Sequence, residues 1–240
     1  MEQVDELKLC GFIFDVKMRW GPMIDVLAKK ARCRLGAWRR LRFVLDDKNM
    51  ETMYIMFVRS VMEYGSVVYM GAADSHLEKL DRIQSSAERI GNFKVESLQS
   101  RREAATMSLV LKLLDGKGRG KLQDHAPKLI DVKLPRFSRH TKDGLRLESV
   151  IRAKSLNVYK RGFFGAAPII WNKIPQEIID KGKEKGWLKI KKACAKFLIN
   201  QGKDKTTKST KRRIVSESHS NNDELKNRKR VKINKRSIYI

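Results

Sequence analysis

Apolar residues recur at intervals of three and four along much of the first half of the chain. Between residues 22 and 45 the repeating positions are Ile24, Leu27, Ala31, Leu35, Trp38, Leu41 and Leu45. In a helix of 3.6 residues per turn these positions share one side. Pro22 suits the first turn because its missing N–H would be unpaired there anyway. The spacing therefore predicts an amphipathic helix over residues 22–45.

The same periodicity predicts three more helices. In the second, Asp47 is the expected N-cap, and the expected buried residues are Met50, Met53, Tyr54, Phe57, Val61 and Tyr64. In the third, Asp74 or Ser75 is the cap, Ser75 and Glu78 form a capping box, and the expected buried residues before Gly91 are Leu77, Leu80, Ile83, Ala87 and Ile90. The fourth runs from about Ser97 to Leu114 and ends at Asp115-Gly116. Short connections between successive helices predict an antiparallel bundle over residues 22–115.

The flanking regions carry weaker patterns. Residues 1–21 predict a short hairpin with strands around Phe12–Phe14 and Met18–Trp20. Residues 116–200 predict a loop-rich subdomain, in which a helix begins at Pro175 and continues through Ile190 towards Leu198. Its apolar residues are Val150, Ile151, Val158, Phe163, Phe164, Ile169, Ile170 and Trp171. The predicted fold class is mainly α: an antiparallel helix bundle with a short N-terminal β-hairpin, a loop-rich small subdomain and a disordered basic C-terminal tail.

Charge changes this picture most at the C-terminus. The 240 residues carry 53 Lys+Arg and 27 Asp+Glu, a net charge of +26, and residues 181–240 hold 20 of the basic residues but only 5 of the acidic ones. Self-repulsion with few apolar residues predicts disorder over 201–240, and phosphates are the expected partner because bound Lys and Arg release counterions. Solubility is a simpler explanation. A nuclear import signal over Lys208–Arg213 and Lys226–Arg236 is another, so the expected location is the nucleus, with the cytoplasm as the alternative.

Two predicted helices also carry basic faces. Lys29, Arg32, Arg39 and Arg40 lie beside the apolar stripe of the first helix, and Lys79, Arg82 and Arg89 recur on the third. Gly36 lies within the first face, where glycine costs about 1 kcal/mol relative to alanine. Close approach of a sugar-phosphate backbone would account for that glycine. A solvated charged face with an incidental glycine is the alternative. These seven residues are the candidate nucleic-acid-binding site.

Other classes of site have little support in the sequence. No apolar run approaches the ~18 residues of a membrane span, and the acidic start MEQVDE does not resemble a signal peptide. The three cysteines lie far apart and the four histidines are scattered, so no zinc site is expected. Asp46-Asp47 suits a helix cap better than a metal site, and GKGRG at 116–120 is a weak match to a phosphate loop. We expect no catalytic residue, metal or cofactor.

Six blocks in series resemble one family. Residues 10–15 read CGFIFD and 18–20 read MRW; residues 28–36 read AKKARCRLG; residues 57–69 read FVRSVMEYGSVVY; residues 77–84 read LEKLDRIQ; residues 97–102 read SLQSRR. The last block holds Phe163-Phe164 and then WNKIPQEI at 171–178. Over residues 9–179 this order is similar to the region after the catalytic palm in reverse transcriptases of jockey-like non-LTR retrotransposons.

The resemblance implies a helical thumb that grips a template-primer duplex, with the seven basic residues on phosphates. Such backbone contacts need Lys and Arg rather than base-reading groups. Trp20 and Tyr64 are then candidates for stacking on bases, although core packing is the simpler role for both. The family's Ala-Asp-Asp catalytic hairpin has no counterpart in this chain. The expected function is therefore that of a non-catalytic remnant that binds nucleic acid, either RNA or an RNA–DNA duplex.

Two alternatives remain open. The chain is part of an active RNA-directed DNA polymerase whose palm domain is supplied elsewhere, or it is an interaction protein or unselected fragment. If it is an interaction protein, truncation of a multidomain enzyme would have left a former interface exposed.

Overall fold

The computed structural model describes residues 5–118, 120, 124, 128–132, 144–147 and 162–202. The chain forms two compact units, Met1–Ile199 and Asn200–Ile240. The fold described below is that of the first unit. The disordered tail predicted for 201–240 lies outside the described residues from residue 203 onward. The predicted apolar residues Val150, Ile151 and Val158 also lie outside them.

The described residues confirm the predicted fold class, which is mainly helical with a short N-terminal hairpin. Helix α1 spans Gly21–Arg40 and continues into a 3-10 turn, Leu41–Phe43. A second helical rod joins α2 (Asp47–Met53), a π-helical segment (Tyr54–Arg59) and α3 (Ser60–Glu63). Helix α4 spans Asp74–Gly91 and α5 spans Leu98–Leu114.

Helices α1 and α4 lie side by side and run parallel. The His76 ring lies against Gly21, Lys79 is paired with Asp25, and Gly91 lies beneath the Trp38 ring. The 47–63 rod runs the opposite way along α1, since Trp38 Nε1 donates to the Met50 carbonyl at 3.0 Å and Arg34 Nη1, one turn earlier in α1, donates to the Phe57 carbonyl at 2.9 Å. Consecutive helices therefore alternate in direction, as the short connections predict, and the first and third become parallel neighbours.

The 47–63 rod buries a different set of residues from the one predicted. Met50, Tyr54, Val58 and Met62 are its fully buried apolar residues. The predicted Phe57 and Tyr64 are 37% and 50% exposed. A π-helix closes i→i+5 hydrogen bonds and so has more residues per turn. Residues that contact the core then recur at every fourth position. The set predicted from 3.6 residues per turn therefore no longer matches the buried face of the rod.

The N-terminal hairpin contains the predicted strand around Phe12–Phe14, but its partner strand precedes it in the chain instead of following it. β1 (Glu6–Leu9) lies antiparallel to β2 (Phe12–Asp15), with Leu9 opposite Phe12. Cys10 and Gly11 form the turn with φ of 48° and 81°, and positive φ at both positions is typical of type I′ hairpins. The predicted strand at Met18–Trp20 is wrong: the Asp15 carboxylate accepts the backbone N–H groups of Arg19 and Trp20 at 2.9 and 2.8 Å, which ties that segment into a loop.

Both predicted helix N-caps are corrected. Asp46, not Asp47, is the N-cap of α2, and its side chain makes no capping hydrogen bond. Ala73 is the N-cap of α4, so the predicted capping box of Ser75 and Glu78 does not form. Ser97, at the predicted start of the fourth helix, is the N-cap of α5, and its hydroxyl accepts the Ser100 N–H at 3.1 Å. Both corrected N-caps lie one or two residues from the predicted ones, because the ends of a helix are harder to place from sequence than its middle.

Beyond α5 the described residues form a second cluster. Strands β3 (Leu129–Val132) and β4 (Gly144–Leu147) pair antiparallel within the region predicted to be loops. Helix α6 spans Phe163–Trp171 and α7 spans Gln176–Lys185. The single helix predicted from Pro175 is interrupted at Gly186, whose φ is +96°. A 3-10 turn (Trp187–Ile190) and helix α8, over residues 191–202, follow.

The described residues form two apolar cores, and α5 contributes to both. The first core joins α1, the 47–63 rod, α4 and the start of α5. In the second, Met107 and Leu111 of α5 pack with Trp171 of α6 and with Cys194 and Leu198 of α8. Burial raises the pKa of the Cys194 thiol to about 11. None of the described helices is long and apolar enough to cross a membrane.

Candidate nucleic-acid interface

The basic residues of α1 lie on the side of the helix opposite the first core. Ile24, Ala31 and Trp38 are fully buried, and this fixes the rotation of the helix. The four predicted residues of α1 are all exposed as a result: Lys29, Arg32, Arg39 and Arg40. Within the described part of the chain none of these four side chains makes a hydrogen bond or an ion pair. Their charge is therefore uncompensated.

The basic residues of α4 are less uniform. Arg89 is exposed and has no ion-pair partner among the described residues. Arg82 is exposed and lies 3.3 Å from Glu78 on the same helix. Lys79 is only partly exposed and pairs with Asp25 of α1. Exposed pairs of this kind contribute about 0–1 kcal/mol, so an incoming phosphate can compete for Arg82, whereas Lys79 also joins the two helices.

The parallel packing of α1 and α4 brings the predicted residues onto one surface. Three contacts between the two helices join residue 21 to 76, 25 to 79 and 38 to 91. Each residue of α1 therefore lies level with the α4 residue about 54 positions later in the chain. Arg82 and Arg89 therefore lie level with residues 28 and 35 of α1. At 1.5 Å per residue, Lys29 to Arg40 spans ~16 Å along the axis. We call the seven predicted residues on this pair of helices the α1/α4 basic face.

Within this face, Arg32 and Arg39 lie on the flank of α1 that faces α4. They follow Asp25 at intervals of seven residues, and two helical turns return nearly to the same side. Lys29 and Arg40 lie farther round the helix. Arg32 and Arg39 therefore lie beside the α1–α4 seam, Lys29 and Arg40 lie farther from it on α1, and Arg82 and Arg89 lie on the exposed side of α4.

Gly36 lies in the middle of the face, between Lys29 and Arg40. It is exposed, and a Cβ atom built on it would meet no atom within 4 Å. No packing or turn geometry in the fold therefore requires glycine at this position, even though it costs about 1 kcal/mol in a helix. The result is a stretch of uncovered helix backbone between basic side chains.

The two aromatic candidates have structural contacts. Trp20 is buried and packs edge-on against Phe14, with ring centroids 5.4 Å apart. Tyr64 is half exposed, stacks on Phe12 at 5.2 Å and donates its hydroxyl to the Cys10 carbonyl at 2.9 Å. Both residues hold the hairpin against the bundle, and neither belongs to the α1/α4 basic face.

Gly65 shows how closely the hairpin is docked. Its φ is +60°, and a Cβ atom there would lie 2.0 Å from Cζ of Phe12. Two of the sequence blocks, CGFIFD and FVRSVMEYGSVVY, therefore meet in space through Phe12, Tyr64 and Gly65. The glycine is required at this point both by its backbone conformation and by the adjacent ring.

Sequence reasoning missed an ion-pair network beneath the site. Arg101 binds both oxygens of Glu63 through Nε and Nη2 at 2.8 and 2.9 Å. Arg59, 5% exposed, reaches Glu63 at 3.4 Å and Glu96 at 3.1 Å. The hydrogen bond to Glu63 raises the pKa of Arg101. These ion pairs join the 47–63 rod to α5, so Arg59 and Arg101 stabilise the fold. The only sequence signal was the run Arg101-Arg102 after a cap.

Arg34 was also missed. Its Nη1 donates to the Phe57 carbonyl at 2.9 Å, and the guanidinium lies over the Phe57 ring at 5.1 Å. Arg34 therefore explains why Phe57 is exposed: the ring packs against a cation at the surface, where such contacts contribute about 0.5–1 kcal/mol. This arginine belongs to the opposite flank of α1 from Arg32.

In the described ranges no group of three or more His, Cys, Asp and Glu side chains is arranged to hold a metal ion. Asp46 and Asp47 lie at the start of α2. The GKGRG segment at 116–120, a weak match to a phosphate loop, falls partly outside the described residues, because residue 119 is not among them. Comparison of the chain with protein-family models, with curated proteins and with solved structures found no match.

Proposed function

We propose that the α1/α4 basic face binds the sugar-phosphate backbone of nucleic acid, and that the chain is a non-catalytic relative of the thumb region of non-LTR reverse transcriptases. The observation that carries the proposal is the uncompensated charge of Lys29, Arg32, Arg39, Arg40 and Arg89 on two parallel helices. Like charges held this close repel one another unless an anion lies over them. A polyanion supplies several phosphates at once and gains from counterion release.

The chemistry of the face favours backbone contacts over base reading. Arginine presents a fork of N–H donors that fits a phosphate, and four of the five unpaired residues are arginines. Exposed Asn and Gln side chains, which pair with adenine edges, do not lie among the predicted residues. Recognition by shape and charge suits an RNA–DNA hybrid or an RNA duplex, whose deep major groove is closed to side chains.

Binding of a fluorescent RNA–DNA hybrid by the full chain, followed by anisotropy across a salt series, tests the proposal. Replacing Arg32, Arg39 and Arg89 by glutamine removes three charges from the face. We expect weaker binding at every salt concentration and a salt slope that is shallower by about 2–3, since each lost phosphate contact removes ~0.7–0.9.

The matched control removes three exposed lysines elsewhere, Lys8, Lys48 and Lys112. It lowers the net charge equally but leaves the face intact, so its affinity should stay within about twofold of that of the wild type. Equal losses in the two variants would mean that net charge alone drives binding. Absence of binding at low salt would refute the proposal altogether. Unchanged melting temperatures show that neither variant is unfolded.

We also propose that the chain alone does not polymerise DNA. Primer extension with the purified chain, Mg²⁺ and deoxynucleotides should give no product, and incorporation above the level of a no-protein control would overturn this part of the proposal. From the basic segments Lys208–Arg213 and Lys226–Arg236 we also propose a nuclear location, with the cytoplasm as the alternative. A fluorescent fusion whose basic residues in both segments are replaced should lose nuclear accumulation.

A second candidate function rests on the hairpin. Leu7, Leu9 and Val16 are 60%, 57% and 68% exposed. Leu7 and Leu9 lie opposite Phe14 and Phe12 in the strand register, so they share one apolar sheet face. The occupant we propose is a polymerase palm domain supplied by another chain. A purified palm from a jockey-like element should bind the wild type, and replacement of Leu7 and Leu9 by serine should abolish that binding without changing hybrid affinity.

A further inference from the structure

A second positively charged surface lies on the C-terminal helices, apart from the α1/α4 basic face. Seven lysines between residues 181 and 196 are all exposed: Lys181, Lys183, Lys185, Lys189, Lys191, Lys192 and Lys196. Between residues 176 and 202 the acidic residues are Glu177, Asp180 and Glu184. Asp180 already accepts a hydrogen bond from Gln176 at 2.9 Å. In the described part of the chain none of the seven lysines forms an ion pair.

Three of these lysines form a regular row. Lys189, Lys192 and Lys196 are separated by three and four residues, so they share one side of the turn and helix that run from residue 187 to residue 202. The opposite side is fixed by Ile190, Cys194 and Leu198, which are buried in the second core. We call these three residues the lysine row. Repulsion between like charges at this spacing destabilises a helix, and no described acidic residue offsets it.

The lysine row and the α1/α4 basic face belong to different layers of the molecule. The elements packed most closely on α1 are α4, the 47–63 rod and β2, whereas those packed on the 187–190 turn are α5 and α7. Helix α5 contributes Leu98 to the first core and Met107 and Leu111 to the second. Each charged surface lies on the exposed side of helices that cover a different core, so the two surfaces are built on separate elements.

The two surfaces also differ in chemistry. The unpaired residues of the α1/α4 basic face are mainly arginines, which bind phosphate through two N–H groups in fixed geometry. The lysine row carries only ammonium groups, which act as strongly hydrated point charges. Ammonium groups impose little geometry on the phosphates they meet, so the row suits a loosely held second segment whose binding falls steeply with salt.

We propose that the lysine row is a second binding surface for nucleic-acid backbone, and that one chain thereby holds two nucleic-acid segments together. This inference rests on the proposed function for its first segment. The second segment is recognised only as a polyphosphate backbone, and the activity that results is bridging of strands or duplexes.

A bead assay measures bridging directly. A biotinylated hybrid duplex of 30 base pairs is fixed on streptavidin beads, the full chain is added, and capture of a second, fluorescent duplex is measured after washing. Replacing Lys189, Lys192 and Lys196 by glutamine should lower capture at least fivefold. Anisotropy with a single duplex should change by less than about twofold, because the α1/α4 basic face is intact.

The control variant at Lys8, Lys48 and Lys112 should capture the second duplex as well as the wild type does. The melting temperature of the lysine-row variant should equal or exceed that of the wild type, since repulsion within the row is relieved. Light scattering of the bridged complex should give the mass of one chain with two duplexes. A mass containing two chains would overturn the inference, because self-association would then account for bridging.

The two proposals fail in different ways. If the wild type binds no duplex at low salt, the proposed function fails and the inference fails with it. If the wild type binds one duplex but captures no second one, the inference alone fails. Full capture by the lysine-row variant also overturns it, because another part of the chain must then hold the second segment. Loss of binding to phosphatidylserine vesicles in this variant, with capture unchanged, would assign the row to a membrane surface instead.

Discussion

Replacement of Gly36 by alanine separates the requirements of the fold from those of the proposed interface. The added Cβ enters open space, with no atom within 4 Å, so no clash opposes it. Alanine is favoured over glycine by about 1 kcal/mol in a helix interior. We therefore expect Gly36→Ala to stabilise the protein by ~1 kcal/mol and to raise the melting temperature by about 2–4 °C for a chain of this size.

The same position should respond in the opposite direction in a binding assay. Gly36 lies between Lys29 and Arg40, so a longer side chain there holds a duplex away from both. We expect Gly36→Leu to weaken hybrid binding about tenfold, which corresponds to ~1.4 kcal/mol, while its stability stays at or above that of the wild type. Urea unfolding followed by circular dichroism gives the stability, and fluorescence anisotropy gives the affinity.

Ala37→Leu provides the matched control, because Ala37 is also exposed in the middle of α1 but lies a hundred degrees round the helix from Gly36. Its affinity should change by less than about twofold. The reasoning is refuted if Gly36→Leu binds as tightly as the wild type, or if both leucine variants weaken binding equally. In the first case Gly36 is incidental and α1 carries a solvated charged face.

Three further substitutions test the fold that supports the site. Gly65→Ala should destabilise the protein by about 2–4 kcal/mol, because alanine disfavours a φ of +60° and its Cβ overlaps the Phe12 ring; in urea unfolding the substitution should cost less when it is made in a Phe12→Ala background, because only the backbone strain then remains. Ser97→Ala removes the cap of α5 and should cost about 1 kcal/mol in the same assay, whereas an unchanged midpoint would show that the cap is dispensable. Burial opposes ionisation of Glu96, but hydrogen bonds from its own backbone and from Arg59, with the Arg59 charge, leave its pKa below the ordinary 4.5. The stability contributed by ionised Glu96 is thus present above pH 4.5 and lost as the pH falls through the lowered native pKa. Melting curves from pH 3 to 7 should show a weaker acid dependence in Glu96→Gln, and an unaltered profile would contradict this assignment.

The hydrophobic periodicity of the sequence predicted the buried face of a helix wherever that helix is a regular α-helix. In α4, four of the five predicted buried residues are buried, Leu77, Leu80, Ile83 and Ala87, because an α-helix at a core surface keeps its 3.6-residue period. The 47–63 rod departs from that period, and its buried face moved to Val58 and Met62 as a consequence. Nothing local in that stretch signals a π-helix.

The candidate site was partly predictable for a similar reason. Basic residues set opposite a buried stripe have to be exposed, so the exposure of Lys29, Arg32 and Arg39 follows from periodicity alone. The pairing of Lys79 with Asp25 did not follow, since the two residues lie 54 positions apart and meet only because α1 and α4 pack side by side. The network of Arg59, Glu63 and Arg101 is likewise a contact between distant segments.

The sequence by itself determined that the chain forms amphipathic helices with basic outer faces, because hydrophobic spacing and charge are properties of each segment. Only the tertiary structure decided which helices became neighbours, that α1 and α4 run parallel, and which charges are compensated by a partner. Those outcomes depend on packing between segments far apart in the chain, as does the docking of Phe12 on Gly65.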